Sequence, residues 1–380
     1  MNLNSRNPVG RGGWIAALLF LLLASPPGWA ERHALLIGVS NYSASGAQGL
    51  HDLPGTKNDI DLIYSVLEGE RYQFKRNNIT TLRDAEATHD KVEQAFAALA
   101  QRVQPGDSVY VHYSGHGSYT PDPTGRKRNG QHETWVSYGA RVPGGKGRDQ
   151  YDILDNELNL WLKPIDEKIQ ETGELVYVSD SCFAGSNARG NALVTRAEPP
   201  QKIEDPKSKE EYDSHIFHHA VLIYAARDDQ SANEFKTDDQ KPYGVFTWQW
   251  AQAMQKVEPG AGETWQQVFT RAEAGVARIF GRSQQPQIDG PYKNHAVLGG
   301  KVSAQPDVMV MEIGTRVILN AGRISGVTPG SRYRGQQGEP PAELEISQAF
   351  ATWSEANVTR GKVQPGAFLV ETEHAYVSAP

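Results

Sequence analysis

Short apolar runs and amphipathic stretches alternate over the first part of the chain. Residues 33–39 (HALLIGV) are almost continuously apolar, the pattern of a strand buried on both faces. Residues 56–67 place Ile60, Ile63, Tyr64 and Leu67 on one side of a helix, with Thr56 as its N-cap and Asp59 as a variant capping-box partner. Residues 78–82 read as a second strand. Residues 88–103 repeat Val92, Ala95, Phe96, Leu99 and Val103 at helical spacing. After the turn at Pro105-Gly106-Asp107, residues 108–113 form a third strand. Alternation of strand and helix predicts a mostly parallel sheet covered on both faces.

The alternation then continues with interruptions. Residues 118–151 are polar and glycine-rich, with a short strand at 133–138. Residues 154–170 read as a helix, and residues 175–178 as an apolar strand that runs into Asp180-Ser181-Cys182. Residues 187–215 are rich in Asn, Arg, Lys, Glu and Pro, too long a loop to be a simple connector. The sheet resumes at residues 220–226. Helices follow at 244–255 and 264–280, the second with a Thr264…Gln267 capping box. Beyond residue 305 the apolar runs become short (315–319, 342–346, 367–371) and are separated by Pro-Gly turns. This predicts a small antiparallel β domain over residues 305–380.

Composition narrows the picture. Of 380 residues, 38% are hydrophobic and 22% charged, and the net charge of -7 gives no reason to expect a nucleic-acid partner. Arg6 and Arg11 precede an apolar core at residues 14–24 and a breaker-rich segment ending at Ala30. This is the layout of a secretory signal over residues 1–30, and the apolar core is shorter than the ~20 residues of a membrane span. The expectation is an exported protein, periplasmic or extracellular, free of the membrane once the signal is removed.

An exported chain commonly pairs its cysteines. This one has a single cysteine, Cys182. It lies just beyond the carboxyl end of a strand, where open parallel sheets place their sites. His116, in Ser114-Gly115-His116-Gly117, lies beyond another strand end. If those strands are neighbours, the imidazole can take the proton of the thiol. Backbone N–H groups at Gly117 and Cys182 then suit an oxyanion.

These residues, with residues 36–42 (LIGVSNY), Asn58-Asp59-Ile60, residues 180–185 (DSCFAG), residues 226–232, residues 244–248 and Gln285-Pro286-Gln287, resemble the caspase-like cysteine peptidases, metacaspases and their bacterial relatives most closely. The resemblance covers about residues 33–300. It implies an α/β fold, the caspase-hemoglobinase three-layer sandwich, over a domain at 31–300, and a His116/Cys182 dyad. It also implies a pocket at Asp59, Ser114 and Asp180 that accepts Arg or Lys before the scissile bond. Two carboxylates beside a nucleophile suit a guanidinium or ammonium group. Asp228 is assigned either to the pocket rim or to a strand end. Phe183-Ala184-Gly185 replaces the family's frequent His-Ser-Gly, and Thr56 stands where metacaspases usually have cysteine.

Of the family's calcium-binding acids, Asp155 is present, while Asn156, His132 and Arg189 stand where acids are common. No cofactor is therefore expected, calcium being the one left open. The 187–215 loop carries Arg189 and Arg196, either as self-processing sites or on a solvated surface loop. His215, His218 and His219 read as strand-edge histidines rather than metal ligands. The expected function is an exported cysteine endopeptidase acting on peptides or proteins with a basic residue before the cut. The alternatives are a catalytically silent caspase-like binding module and a legumain- or clostripain-type peptidase. Natural substrate and oligomeric state are not legible.

Overall fold

The computed structural model describes Met1 and residues 30–122, 130–182, 195–198, 200–201, 216–258, 262–299, 308–325, 327–335 and 340–375. The signal segment, Phe183, Arg189, His215 and most of the 187–215 loop lie outside the described residues.

A six-stranded sheet organises the first domain. Its strands are β1 (Arg32–Gly38), β2 (Ile79–Arg83), β3 (Ser108–Ser114), β7 (Glu174–Asp180), β8 (Ala220–Tyr224) and β11 (Gln287–Asp289), in the order β11-β8-β7-β3-β1-β2. Every neighbouring pair is parallel except β11 with β8. Helices α1 (Pro54–Glu68), α2 (His89–Arg102), α3 (Asp155–Ile169), α4 (Val245–Gln255) and α5 (Trp265–Phe280) cover the sheet.

The strands alternate their side chains between two cores, which is why their sequences read as unbroken apolar runs. Ala34, Leu36, Tyr110, Val176 and Val178 pack with Ile60, Ile63, Trp250 and Trp265 of α1, α4 and α5. Leu35, Ile37, Val109, Val111, Leu175 and Tyr177 pack with Phe96, Leu99, Leu158 and Leu162 of α2 and α3. The result is the three-layer sandwich expected from the sequence.

One local expectation changes. Helix α1 begins at Pro54 with Leu53 as its cap, so Thr56 lies inside the first turn. Proline is well suited to the first helical position, where its missing N–H costs nothing. Asp59 is thereby released from capping and faces the sheet. The α5 capping box forms as the sequence predicts, Thr264 and Gln267 each satisfying the other's backbone N–H.

Two small sheets flank the strand ends. One holds β4 (Gly117–Pro121), β5 (Gln131–Trp135) and β6 (Ile153–Leu154); the other holds β9 (Glu234–Lys236) and β10 (Pro242–Gly244). The carboxy-terminal domain is a closed barrel of β12 (Val308–Ile313), β13 (Val317–Leu319), β14 (Arg332–Gly335), β15 (Glu343–Ala349), β16 (Ser354–Arg360) and β17 (Phe368–Glu373). Its own core includes Val310, Leu319, Leu344, Ile346 and Leu369. It meets the first domain where the Arg271 guanidinium of α5 lies over the Phe368 ring, 5.3 Å from its centroid. Among the described residues no helix is long and apolar enough to cross a membrane.

Candidate active site

Strands β3 and β7 are adjacent and in register, Ser114 opposite Asp180. Each chain continues two residues past that pair, to His116 and to Cys182. The turns touch: a Cβ on Gly117 would lie 2.0 Å from the Cys182 carbonyl oxygen, so only glycine fits there. The sheet topology thus brings together residues far apart in sequence.

His116 is held by its backbone and by one ring nitrogen. The His116 N–H donates to the Tyr42 hydroxyl at 2.8 Å, and the Tyr113 hydroxyl donates to the His116 carbonyl at 2.8 Å. His116 Nε2 donates to the His51 carbonyl at 2.8 Å. That bond fixes the neutral tautomer with a bare Nδ1, and Nδ1 makes no hydrogen bond among the described residues. Burial pushes the imidazole down to about 3, so it rests neutral and ready to accept a proton. The Cys182 thiol is fully buried, and burial pushes it up to about 12. Its sulfur faces Ala232, whose N–H donates to it. The resting pair is therefore thiol and imidazole, not an ion pair.

The chain's own loop lies against this pair. Thr195 forms an antiparallel bridge with Asn233, and the Arg196 N–H donates to the Ala232 carbonyl at 3.0 Å. The Arg196 carbonyl accepts from the Gly117 N–H at 2.8 Å. The Arg196 backbone lies close enough to both the imidazole and the thiol to act on their protonation.

The Arg196 side chain is completely buried among acids. Nη1 donates to Ser114 Oγ at 2.9 Å and to the Asp180 carbonyl at 3.0 Å, and lies 3.1 Å from Asp180 Oδ1. Nη2 reaches Asp59 Oδ2 at 2.6 Å and Glu234 Oε1 at 3.2 Å. The acids are themselves anchored. Asp59 accepts from the Gly244 N–H at 2.9 Å and the Ser114 hydroxyl at 2.7 Å; Asp180 accepts from the Thr247 N–H and hydroxyl at 3.0 and 2.6 Å; Glu234 accepts from the Gly55 N–H. Three carboxylates beside one guanidinium leave excess negative charge. Burial chiefly, and Asp180 in part, push Asp59 up to about 7 against the pull of Arg196.

Asp59, Ser114 and Asp180 thus converge on one cation. Asp228 does not join them: it is exposed beyond β8, and the third carboxylate on the guanidinium is Glu234. The sequence reading did not single out Glu234, His51, Tyr42 or Glu198. Tyr42 and Gly244 lay in quoted segments without a role. Glu234, in a three-residue strand, carries no local signal.

His51, His116 and Glu198 bring ligand-type atoms within 4.8 Å of one another, the one such group among the described residues. At the position of the family's calcium acids, the buried His132 imidazole lies between Asp155 (Nδ1 to Oδ1, 3.0 Å) and Asp122 (Nε2 to Oδ1, 3.4 Å). A ring filling the space between the acids does not fit a calcium ion, which takes 6–8 oxygen ligands. His218 and His219 bind Asp166 through their backbone N–H groups, at 2.9 Å each.

The chain is similar to Metacaspase-1 of Pyricularia oryzae, 30% identical over 162 residues, which is 41% of this chain and 37% of that protein. It is similar to Metacaspase-1B of Aspergillus fumigatus, 31% identical over 163 residues, 41% of this chain and 36% of that protein. The match thus spans little more than a third of the length of these curated relatives. A crystal structure of a Geobacter sulfurreducens protein shares the fold at a TM-score of 0.50 and 20% identity, covering 72% of this chain and all of that one. The model of the caspase-domain peptidase family matches residues 31–294. On a match over that much of its length, the chain belongs to the caspase-domain family.

Proposed function

We propose that this chain is an exported cysteine endopeptidase that cuts after arginine, ahead of lysine, and processes itself at the Arg196–Ala197 bond. The observation that carries the reading is the posture of residues 195–198. The Arg196 side chain fills the acidic pocket while its carbonyl accepts from the Gly117 N–H at 2.8 Å. A substrate would need both contacts, and here the chain makes them with itself.

The chemistry follows from the dyad. Cys182 Sγ attacks the carbonyl carbon of the residue in the pocket, and its proton passes to His116 Nδ1. The Gly117 N–H, and the Cys182 N–H beside it, hold the oxyanion. The intermediate collapses with cleavage of the C–N bond, and His116 returns the proton to the departing amine. Water, deprotonated by His116, then hydrolyses the thioester and frees the thiol. The net change is addition of one water across one peptide bond. A thiol raised to about 12 has almost no thiolate at neutral pH, so in the uncut chain attack and proton transfer must coincide. Departure of the loop rehydrates the thiol and raises its reactivity.

Arginine is favoured over lysine because the pocket engages both terminal nitrogens, on opposite sides, whereas an ammonium is a single point charge. The proposed steps include no metal, a reading supported by His132 standing between Asp122 and Asp155; chelators are expected to leave the rate unchanged. The test is a panel of fluorogenic peptides ending in Arg, Lys, Asp or Asn, run beside Cys182→Ala. Cleavage after Arg and Lys, absent in the variant, supports the reading. Cleavage only after Asp or Asn contradicts the pocket, and no cleavage at all favours a silent binding module.

A further inference from the structure

Beyond the scissile bond the loop runs along β4. Ala197 bridges Gly117 in parallel, the Glu198 N–H donates to the Gly117 carbonyl at 3.0 Å, and Ser118 Oγ donates to the Glu198 carbonyl at 2.9 Å. The Gln201 N–H continues the track to the Tyr119 carbonyl at 3.2 Å. This edge fixes the register of whatever follows the cut, and it turns the Glu198 side chain inward, 3% exposed.

Inside, Glu198 Oε1 lies 3.2 Å from His51 Nδ1 and 3.2 Å from His116 Nε2. Oε1 makes no hydrogen bond among the described residues. His51 also donates through Nε2 to the Thr195 carbonyl at 2.8 Å, and its ring stands edge-on to His116 with centroids 4.5 Å apart. One imidazole therefore grips the chain on both sides of the Arg196–Ala197 bond, by a carbonyl before it and a carboxylate after it.

We propose that His51 and the outer edge of His116 form a subsite that selects a carboxylate two residues beyond the scissile bond, and that the substrate's carboxylate assists the dyad from there. The inference rests on reading Arg196–Ala197 as the bond that is cut. A buried carboxylate oxygen that lacks a hydrogen bond, as Glu198 Oε1 does, is costly unless a cation faces it. In the resting site His116 is neutral. When Cys182 attacks, the proton arrives on Nδ1 and the imidazole becomes a cation, with Glu198 Oε1 already beside the opposite nitrogen. That interaction strengthens as the transition state forms, so it acts on rate more than on binding. The substrate thereby supplies what the orienting aspartate supplies in a Ser-His-Asp triad.

The subsite is pH-dependent through His51. Glu198 chiefly, with the Thr195 carbonyl and Glu234, raises His51 above its ordinary value of 6.5, against partial burial. The groups facing it are Glu198, His116 and, at longer range, Glu234. The carboxylate preference is therefore full below 6.5 for as long as the substrate's own carboxyl stays ionised, and fades as pH rises through the raised His51 value.

The experiment uses the full chain and internally quenched peptides that differ only in Arg-Ala-Glu against Arg-Ala-Gln, beside an Arg-aminocoumarin with nothing after arginine but the dye. The expected result is about a tenfold higher kcat/KM for the Glu peptide, expressed mainly in kcat. The advantage should shrink in alkali and fall towards unity in His51→Ala. Equal cleavage of the Glu and Gln peptides, with aminocoumarin still released, overturns the subsite alone. Failure to cleave any of the three overturns the proteolytic reading and the subsite with it.

Discussion

The two sides of the Arg196–Ala197 bond are held in opposite ways. Before the bond, a guanidinium sits among Asp59, Asp180 and Glu234, each carboxylate tied to a backbone N–H of α1, α4 or β10. After the bond, a carboxylate sits between two imidazoles and its Oε1 makes no hydrogen bond among the described residues. The first site is built on regular elements, its three acids each anchored by a backbone N–H, although Asp180 Oδ1 and Arg196 Nε make no hydrogen bond among the described residues. The second depends on a half-exposed loop histidine and on a proton that arrives during the reaction. On the proposed reading, binding energy and charge specificity belong to the first, and pH sensitivity and rate to the second.

The largest effect should come from breaking what the two sides share. Cys182→Ala should lower cleavage about 10⁴-fold or more, measured on Arg-aminocoumarin. Next is the pocket. Asp59→Asn and Asp180→Asn each remove charge-assisted bonds worth ~1.5–3 kcal/mol, and kcat/KM for Arg peptides should fall about 10- to 150-fold. Gly244→Ala sharpens the same point by shape. Its Cβ would stand 2.4 Å from Asp180 Oδ2 and 2.7 Å from Arg196 Nη2, so arginine should be excluded while the fold, followed by circular dichroism, is kept.

The docked loop itself should shield the thiol. In a His116→Ala chain, which cannot cut itself, adding Arg196→Gln removes the anchor. Cys182 should then fall from about 12 towards the ordinary 9, and alkylation by iodoacetamide near neutral pH should rise by about 10²–10³. The smallest effect belongs to the primed side. A His raised by its partner stabilises the fold below its unfolded value and loses that contribution as pH rises through the folded value. In a Cys182→Ala chain, His51→Gln should lower Tm by ~1–3 °C near pH 6 and by nothing measurable in alkali. The pair is screened, since the His51 side chain is 47% exposed.

Much of this architecture is written locally in the chain. Strands β1, β3 and β7 are buried on both faces, and that requirement leaves a continuous apolar signature. The His116/Cys182 pairing is legible because two such strands end in small polar turns holding a histidine and the only cysteine. Other parts depend on tertiary placement. Asp59 resembles a capping residue until Pro54 is recognised as the start of the helix. Glu234 is one acid among many until β9 carries it to the guanidinium, and Asp228, in a more conspicuous segment, is left outside.

His51 and Glu198 are further from legibility, because their meeting exists only once a loop folds back across the site. Half of the barrel strands, β12, β14 and β16, are also not legible in the sequence. In β16, residues 357–360 are exposed, and a strand that turns so much of itself to solvent leaves little alternation to read. The short apolar runs predict a carboxy-terminal β unit; its closure into a barrel is not legible in them.

The chain is proposed to be its own substrate at the Arg196–Ala197 bond. The most direct test is intact-mass and amino-terminal analysis of the purified chain beside Cys182→Ala and Arg196→Gln. A fragment beginning at Ala197 is expected in the active chain and none in either variant. An active chain that cleaves Arg peptides while its own Arg196–Ala197 bond stays whole would contradict the proposal.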